Sequence, residues 1–119
     1  MTSRLGALRV RHVKQSIVSI RNLLRGRSFE DARSDEVAWA AFERFLEILS
    51  EASRHIPDDW KTIYGSDIPW RKVGDLGNAL RHTYHRADRA ILWSTYTDDL
   101  TPLEAVIDAM LAAYDAPEA

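Results

Sequence analysis

Apolar residues Val13, Ile17, Ile20 and Leu24 recur at helical spacing and stop before Arg25-Gly26, where glycine can supply a left-handed cap. They predict a first helix. The acidic start Ser34-Asp35-Glu36 suits a second helix N-terminus, and Ala38, Ala41, Phe45, Ile48, Leu49 and Ala52 form its apolar stripe, ending near Ile56-Pro57. Pro57 to Ile68 reads as a connection with a short helical turn around Trp60 to Tyr64. Pro69 suits the first turn of a third helix, with Trp70, Val73, Leu76 and Leu80 on one face; Gly74 and Gly77 weigh against it. Asp88 to Trp93 continues or resumes as helix. Thr101-Pro102-Leu103-Glu104 has capping-box spacing with proline at the first helical position, followed by Leu103, Val106, Ile107, Met110, Leu111 and Tyr114. With no strand-like alternation, internal repeat or low-complexity tract, the periodicity predicts an all-α bundle of four or five helices.

A chain of 119 residues, 45% of them apolar, suits one domain over 1–119 with a single core and a loose acidic end from about residue 115. No cysteine is present, which removes disulfides, thiolate nucleophiles and zinc-thiolate sites and suits a reducing cytoplasm. No apolar run reaches the roughly 20 residues that span a bilayer, and Met1 to Val10 lacks the apolar centre of a signal peptide. The expectation is a cytoplasmic protein without a membrane partner.

The net charge of −2 hides an asymmetry: Met1 to Arg33 carries eight Lys/Arg against two acids, whereas Ser94 to Ala119 carries six acids and no base. Arg71, Lys72, Arg81, Arg86 and Arg89 face only Asp75 and Asp88 in sequence, so this stretch and the N-terminal segment can form a basic, phosphate-binding surface. Pairing of opposite charges between helices or subunits is the simpler alternative.

Along the third helix, Arg71, Asp75, Asn78 and His82 fall at i, i+4, i+7 and i+11, a polar line that ends near a phenol at Tyr84. Metal-independent RNA cleavage needs a base for the ribose 2′-hydroxyl, an acid for the departing 5′-oxygen, and cations beside the phosphate. Histidine and arginine supply all three, and a two-fold dimer would set His82 of each subunit across one cleft. His12, His55 and His85 form no metal motif with a carboxylate, and no Gly-rich phosphate loop follows a strand. No metal is expected.

Ile68-Pro69-Trp70-Arg71-Lys72-Val73, Gly77-Asn78-Ala79-Leu80-Arg81-His82-Thr83-Tyr84 and the segment Asp88 to Trp93 resemble the signature region of HepT-like toxins. The likeness extends upstream over Ala41 to Ala52 and Arg54 to Pro57. It implies a HEPN bundle, a two-fold homodimer and a ribonuclease centre at the dimer cleft. The family motif is an arginine followed directly by asparagine, three residues, histidine, one residue and tyrosine. Asn78, His82 and Tyr84 match it, and Gly77 stands where the family has arginine. Arg81 beside His82, or Arg86 one turn beyond, can return a guanidinium to the cleft; Arg71 and Lys72 are the expected RNA contacts. The resemblance further implies a type VII toxin–antitoxin pair. In it a MntA-like nucleotidyltransferase antitoxin uses ATP to transfer AMP to Tyr84, while RNA cleavage itself needs no cofactor.

Two other readings follow from the same residues. In one, Gly77 marks lost chemistry and the chain is a non-catalytic HEPN module that binds a nucleotide or substrate for a partner nucleotidyltransferase. In the other, it is a helical scaffold assembled through its charge asymmetry.

Overall fold

The computed structural model describes residues 2–82 and 88–114, with side chains over 4–81 and 88–114. The chain is all-α. Its described helices are α1 (Thr2–Leu24), α2 (Phe29–Ser34), α3 (Glu36–Arg54), α4 (Asp58–Gly65), α5 (Trp70–His82), α6 (Arg89–Ser94) and α7 (Leu100–Tyr114), with a π-helical turn at Thr95–Asp99 joining α6 to α7. Four long helices carry the bundle: α3 packs between α1 and α5, and α1 also packs on α7. The expected loose end from residue 115 lies outside the described residues, as do Tyr84, His85 and Arg86.

Val10, Val13, Ile17, Ile20 and Leu24 are fully buried along α1, at spacings that keep them on one stripe. α1 ends at Leu24, and Gly26 adopts φ +75°, the left-handed conformation that a residue with a Cβ would take only under strain. The chain then forms α2, a short helix the periodicity did not indicate. Ser28 accepts from the Asp31 backbone N–H and the Asp31 carboxylate accepts from the Ser28 N–H, a reciprocal cap. Asp35 caps α3 by accepting from the Ala38 N–H at 3.0 Å.

The buried stripe of α3 differs from the expected one. Ala38, Leu49 and Ala52 of that stripe are buried, but Trp39, Phe42 and Leu46 enter the core with them, whereas Phe45 is half-buried and Ile48 reaches the surface. The segment is apolar on more than one face, and the bulkiest side chains win the interior because they bury the most area. Ser50, also buried, faces α5, and the buried Ser53 hydroxyl donates to the Ser50 carbonyl within α3.

The start of the last helix also departs from expectation. Thr101 is not its cap, because α7 begins at Leu100 and runs directly out of the π turn, whose wide bond joins the Leu100 N–H to the Thr95 carbonyl. A proline ring clashes with the carbonyl four residues earlier in a regular helix, and the wide turn just before Pro102 relieves that conflict. Thr101 and Glu104 serve α1 instead. Glu104 accepts from Lys14 at 2.7 Å and from Arg21 at 2.9 Å, Thr101 accepts from Arg21 at 3.2 Å, and Asp108 pairs with Lys14 at 2.8 Å. Part of the charge asymmetry is thus spent in joining α1 to α7.

No helix among the described residues is long and apolar enough to cross a membrane.

Candidate active site

α5 presents two unlike faces. Leu80 is buried, Val73 and Leu76 pack against the core, and the Trp70 indole N–H donates to the Gly65 carbonyl at 2.8 Å. Arg71, Lys72, Asp75, Asn78 and Arg81 are exposed. His82 is the last residue of α5, so the backbone carries Asn78 and His82 on successive turns at the helix's outer end. Tyr84 and Arg86, expected beyond it, lie outside the described residues, as does the His82 side chain.

The two glycines that weighed against a helix let α5 approach α3 closely. The Ser50 hydroxyl donates to the Gly74 carbonyl at 3.0 Å and accepts from the Gly77 N–H at 2.9 Å. A Cβ on residue 77 would lie 3.1 Å from that hydroxyl and 3.2 Å from the Ser50 Cβ; one on residue 74 would lie 3.0 Å from Arg54 Cγ. The entropic cost of each glycine, about 1 kcal/mol relative to alanine, is offset by this contact and its hydrogen bonds. Gly77 therefore occupies the family arginine position as a packing residue. The Arg81 guanidinium bends back over it, with Nη1 3.5 Å from the place a Cβ on residue 77 would take.

The expected basic residues separate. Arg89 donates to the Arg33 carbonyl at 2.6 Å and lies 5.2 Å over the Trp39 ring, a structural use of its charge. Lys72 lines a cavity of about 450 Å³ with Leu46, Leu49, Leu76, Leu100 and Leu103, away from Arg81. Arg81 instead lines a cleft of about 320 Å³ with Arg9 and His12 of α1 and Arg44, Glu47 and Glu51 of α3. The N-terminal segment and the end of α5 thus share one surface through Arg9 and Arg81.

Sequence reading did not single out Arg9 or Arg44. Arg9, His12, Ser16 and Ser19 share one line of α1, but α1 carries several other polar residues, so the sequence alone does not mark that line out. Among the described residues, no three His, Asp or Glu side chains gather as a metal-binding set.

The carboxylates of the cleft are engaged. Glu51 accepts from His55 at 3.0 Å, and that hydrogen bond, with the fields of Arg54, His55 and Arg81, holds its pKa below the ordinary carboxylate value. Glu47 lies 3.8 Å from Arg44.

No solved structure matches the chain significantly. The chain is 33% identical over 98 residues to the "Probable ribonuclease HepT" of Thermococcus cleftensis, covering 82% of this chain and 88% of that protein. It is also similar to proteins named "Putative RNase" in Caldanaerobacter subterraneus subsp. tengcongensis (30% over 100 residues, 84% of this chain and 88% of that protein) and Methanocaldococcus jannaschii (32% over 65 residues, 55% and 59%). The family described as Ribonuclease HepT-like matches residues 13–110, which takes in the second half of α1, α2 to α6 with the Ser50 seam, and most of α7. The chain belongs to the HepT-like ribonuclease family.

Proposed function

We propose that this chain is a metal-independent endoribonuclease toxin of a type VII pair, acting as a homodimer with its centre at the outer end of α5. The observation that carries the reading is the placement of Asn78 and His82 there, within the span matched to a ribonuclease family. In the reaction, His82 of one subunit takes the proton of the ribose 2′-hydroxyl. The 2′-oxygen bonds to phosphorus as the bond from phosphorus to the 5′-oxygen breaks. His82 of the second subunit protonates that 5′-oxygen, leaving a 2′,3′-cyclic phosphate and a 5′-hydroxyl. Asn78 orients the phosphate, and Arg81, leaning over Gly77, supplies the cation that the family arginine would bring. Arg86 is the alternative donor, and Arg71 and Lys72 serve longer RNA contacts.

Dimerisation is supported by a groove between α1 and α3, lined by His12, Gln15, Ser16, Ser19, Phe45 and Ile48, in which the half-buried Phe45 and the exposed Ile48 leave apolar surface open. Control by a MntA-like nucleotidyltransferase that spends ATP to place AMP on Tyr84 is supported by the other tyrosines. Tyr64 and Tyr114 pack against each other, Tyr114 also stacks on Trp60 at 3.7 Å, and Tyr96 packs on Trp93. AMP on Tyr84 would add bulk and negative charge beside a cationic cleft.

Gly77 favours a second reading, a non-catalytic module that binds a nucleotide or substrate for the partner. Expression separates the two. Wild type should arrest growth, His82→Ala should not, and co-expression with a cognate MntA-like nucleotidyltransferase should rescue growth, with adenylyl mass on Tyr84 and none on Tyr84→Phe. Harmless wild type that cleaves no RNA would install the binding-module reading.

A further inference from the structure

Arg9, Arg44 and Arg81 reach one cleft from three different helices, α1, α3 and α5. Three guanidinium groups would repel one another unless something anionic completes them. Glu47 lies 3.8 Å from Arg44, and Glu51, although bonded to His55, also sits in the field of Arg81, so three guanidinium groups against two carboxylates leave the cleft a small positive excess. The Nε of Arg9 is buried with no hydrogen-bond partner among the described residues. A desolvated, charged donor without an acceptor costs free energy, and in native structures such a group points to a missing acceptor. Elsewhere on α1, Lys14 and Arg21 have their carboxylates on α7; among the described residues Arg9 has no such ion pair.

We propose that this cleft is a phosphate subsite: Arg9 and Arg44 grip an RNA backbone phosphate that flanks the cleaved bond, while Arg81, on the shared wall, serves the cleaved phosphate. The proposal rests on the ribonuclease reading. Arg81 precedes His82 in the same helical turn, so a strand held at the end of α5 meets this cleft next, and the cleft, at about 320 Å³, admits a phosphate with part of its sugar. Planar guanidinium forks suit the phosphate oxygens, and a bridging phosphate would satisfy Arg9 while neutralising the repulsion between helices. His12 on the same wall is placed to stack on or donate to the adjoining nucleotide. The cleft would thus read backbone and leave base sequence unread.

The test measures binding of a fluorescein-labelled single-stranded RNA oligonucleotide to full-length His82→Ala protein across a series of salt concentrations. Adding Arg9→Gln or Arg44→Gln should each weaken binding about five- to tenfold at low salt. Each should also flatten the plot of log affinity against log salt by about 0.7, one phosphate's share on a single strand. Arg25→Gln, an exposed residue bonded to Asn22, should change neither. Arg44 is largely exposed, so its replacement keeps the test open if Arg9→Gln folds poorly. Unchanged affinity and slope in both arginine variants would overturn the subsite alone. No RNA binding by the parent protein would remove the ribonuclease reading with it. A change in sedimentation without a change in RNA binding would overturn the subsite and assign the cleft to protein contact.

Discussion

Ser50→Ala should destabilise the fold far more than loss of one oxygen atom suggests. Ser50 is 1% exposed, and its hydroxyl bridges α3 to α5 through the Gly74 carbonyl and the Gly77 N–H. Each bond contributes about 0.5–1.5 kcal/mol net, and a buried polar group left without a partner adds desolvation cost, so the loss should be about 2 kcal/mol. For a domain of this size that is a fall in Tm of roughly 6–10 °C. Ser53→Ala is the matched comparison. Ser53 is equally buried, but its hydroxyl donates to the Ser50 carbonyl within α3, and alanine's better helix propensity offsets much of that loss. Its cost should stay below about 1 kcal/mol. Thermal and urea melts of the two variants decide the matter. Equal losses, or a Ser50→Ala change below about 0.5 kcal/mol, would refute the claim that the hydroxyl clasps the helix carrying the site.

Gly77→Arg, which restores the family residue type, should lower stability by about 1–3 kcal/mol through overpacking against Ser50 and should not raise cleavage, as melts and a turnover assay will show. Lys14 and Arg21 hold the Glu104 pKa below its ordinary value of 4.5, the hydrogen bond from Lys14 being the largest cause. The stability this adds is present above the unfolded carboxylate pKa and is lost as pH falls through the lower folded one, so wild type should lose Tm between about pH 5 and pH 3. Glu104→Gln should melt lower at pH 7 and show a shallower acid slope; a slope equal to wild type would contradict the assignment.

The bundle was readable where one face alone is apolar. On α1, Val13, Ile17, Ile20 and Leu24 are the residues found in the core, and the stop at Gly26 follows from its left-handed conformation. On α3 the reading was half right: Ala38, Leu49 and Ala52 are buried, but Ala41, Phe45 and Ile48 compete with Trp39, Phe42 and Leu46, and only the neighbouring helices decide which set is covered. Thr101 and Glu104 matched a capping pattern locally while their side chains were committed to Lys14 and Arg21, 80 to 90 positions away in sequence. The site divides in the same manner. Asn78 and His82 were legible as a helical polar line, and the family motif raised their standing. Arg9 and Arg44 were not, since their nearness to Arg81 exists only once α1, α3 and α5 are packed.

The central claim is that this chain cleaves RNA without metal, with Arg81 supplying the charge absent from residue 77. Cleavage of a labelled RNA by purified protein in excess EDTA, followed under single-turnover conditions with the product ends identified, tests it most directly. Wild type should release 2′,3′-cyclic phosphate and 5′-hydroxyl ends. Arg81→Ala should slow the chemical step by about a hundredfold, His82→Ala should abolish it, and Arg71→Ala should chiefly weaken binding in a salt-dependent way. Cleavage at the wild-type rate by Arg81→Ala, or no cleavage by the wild type itself, would contradict the account.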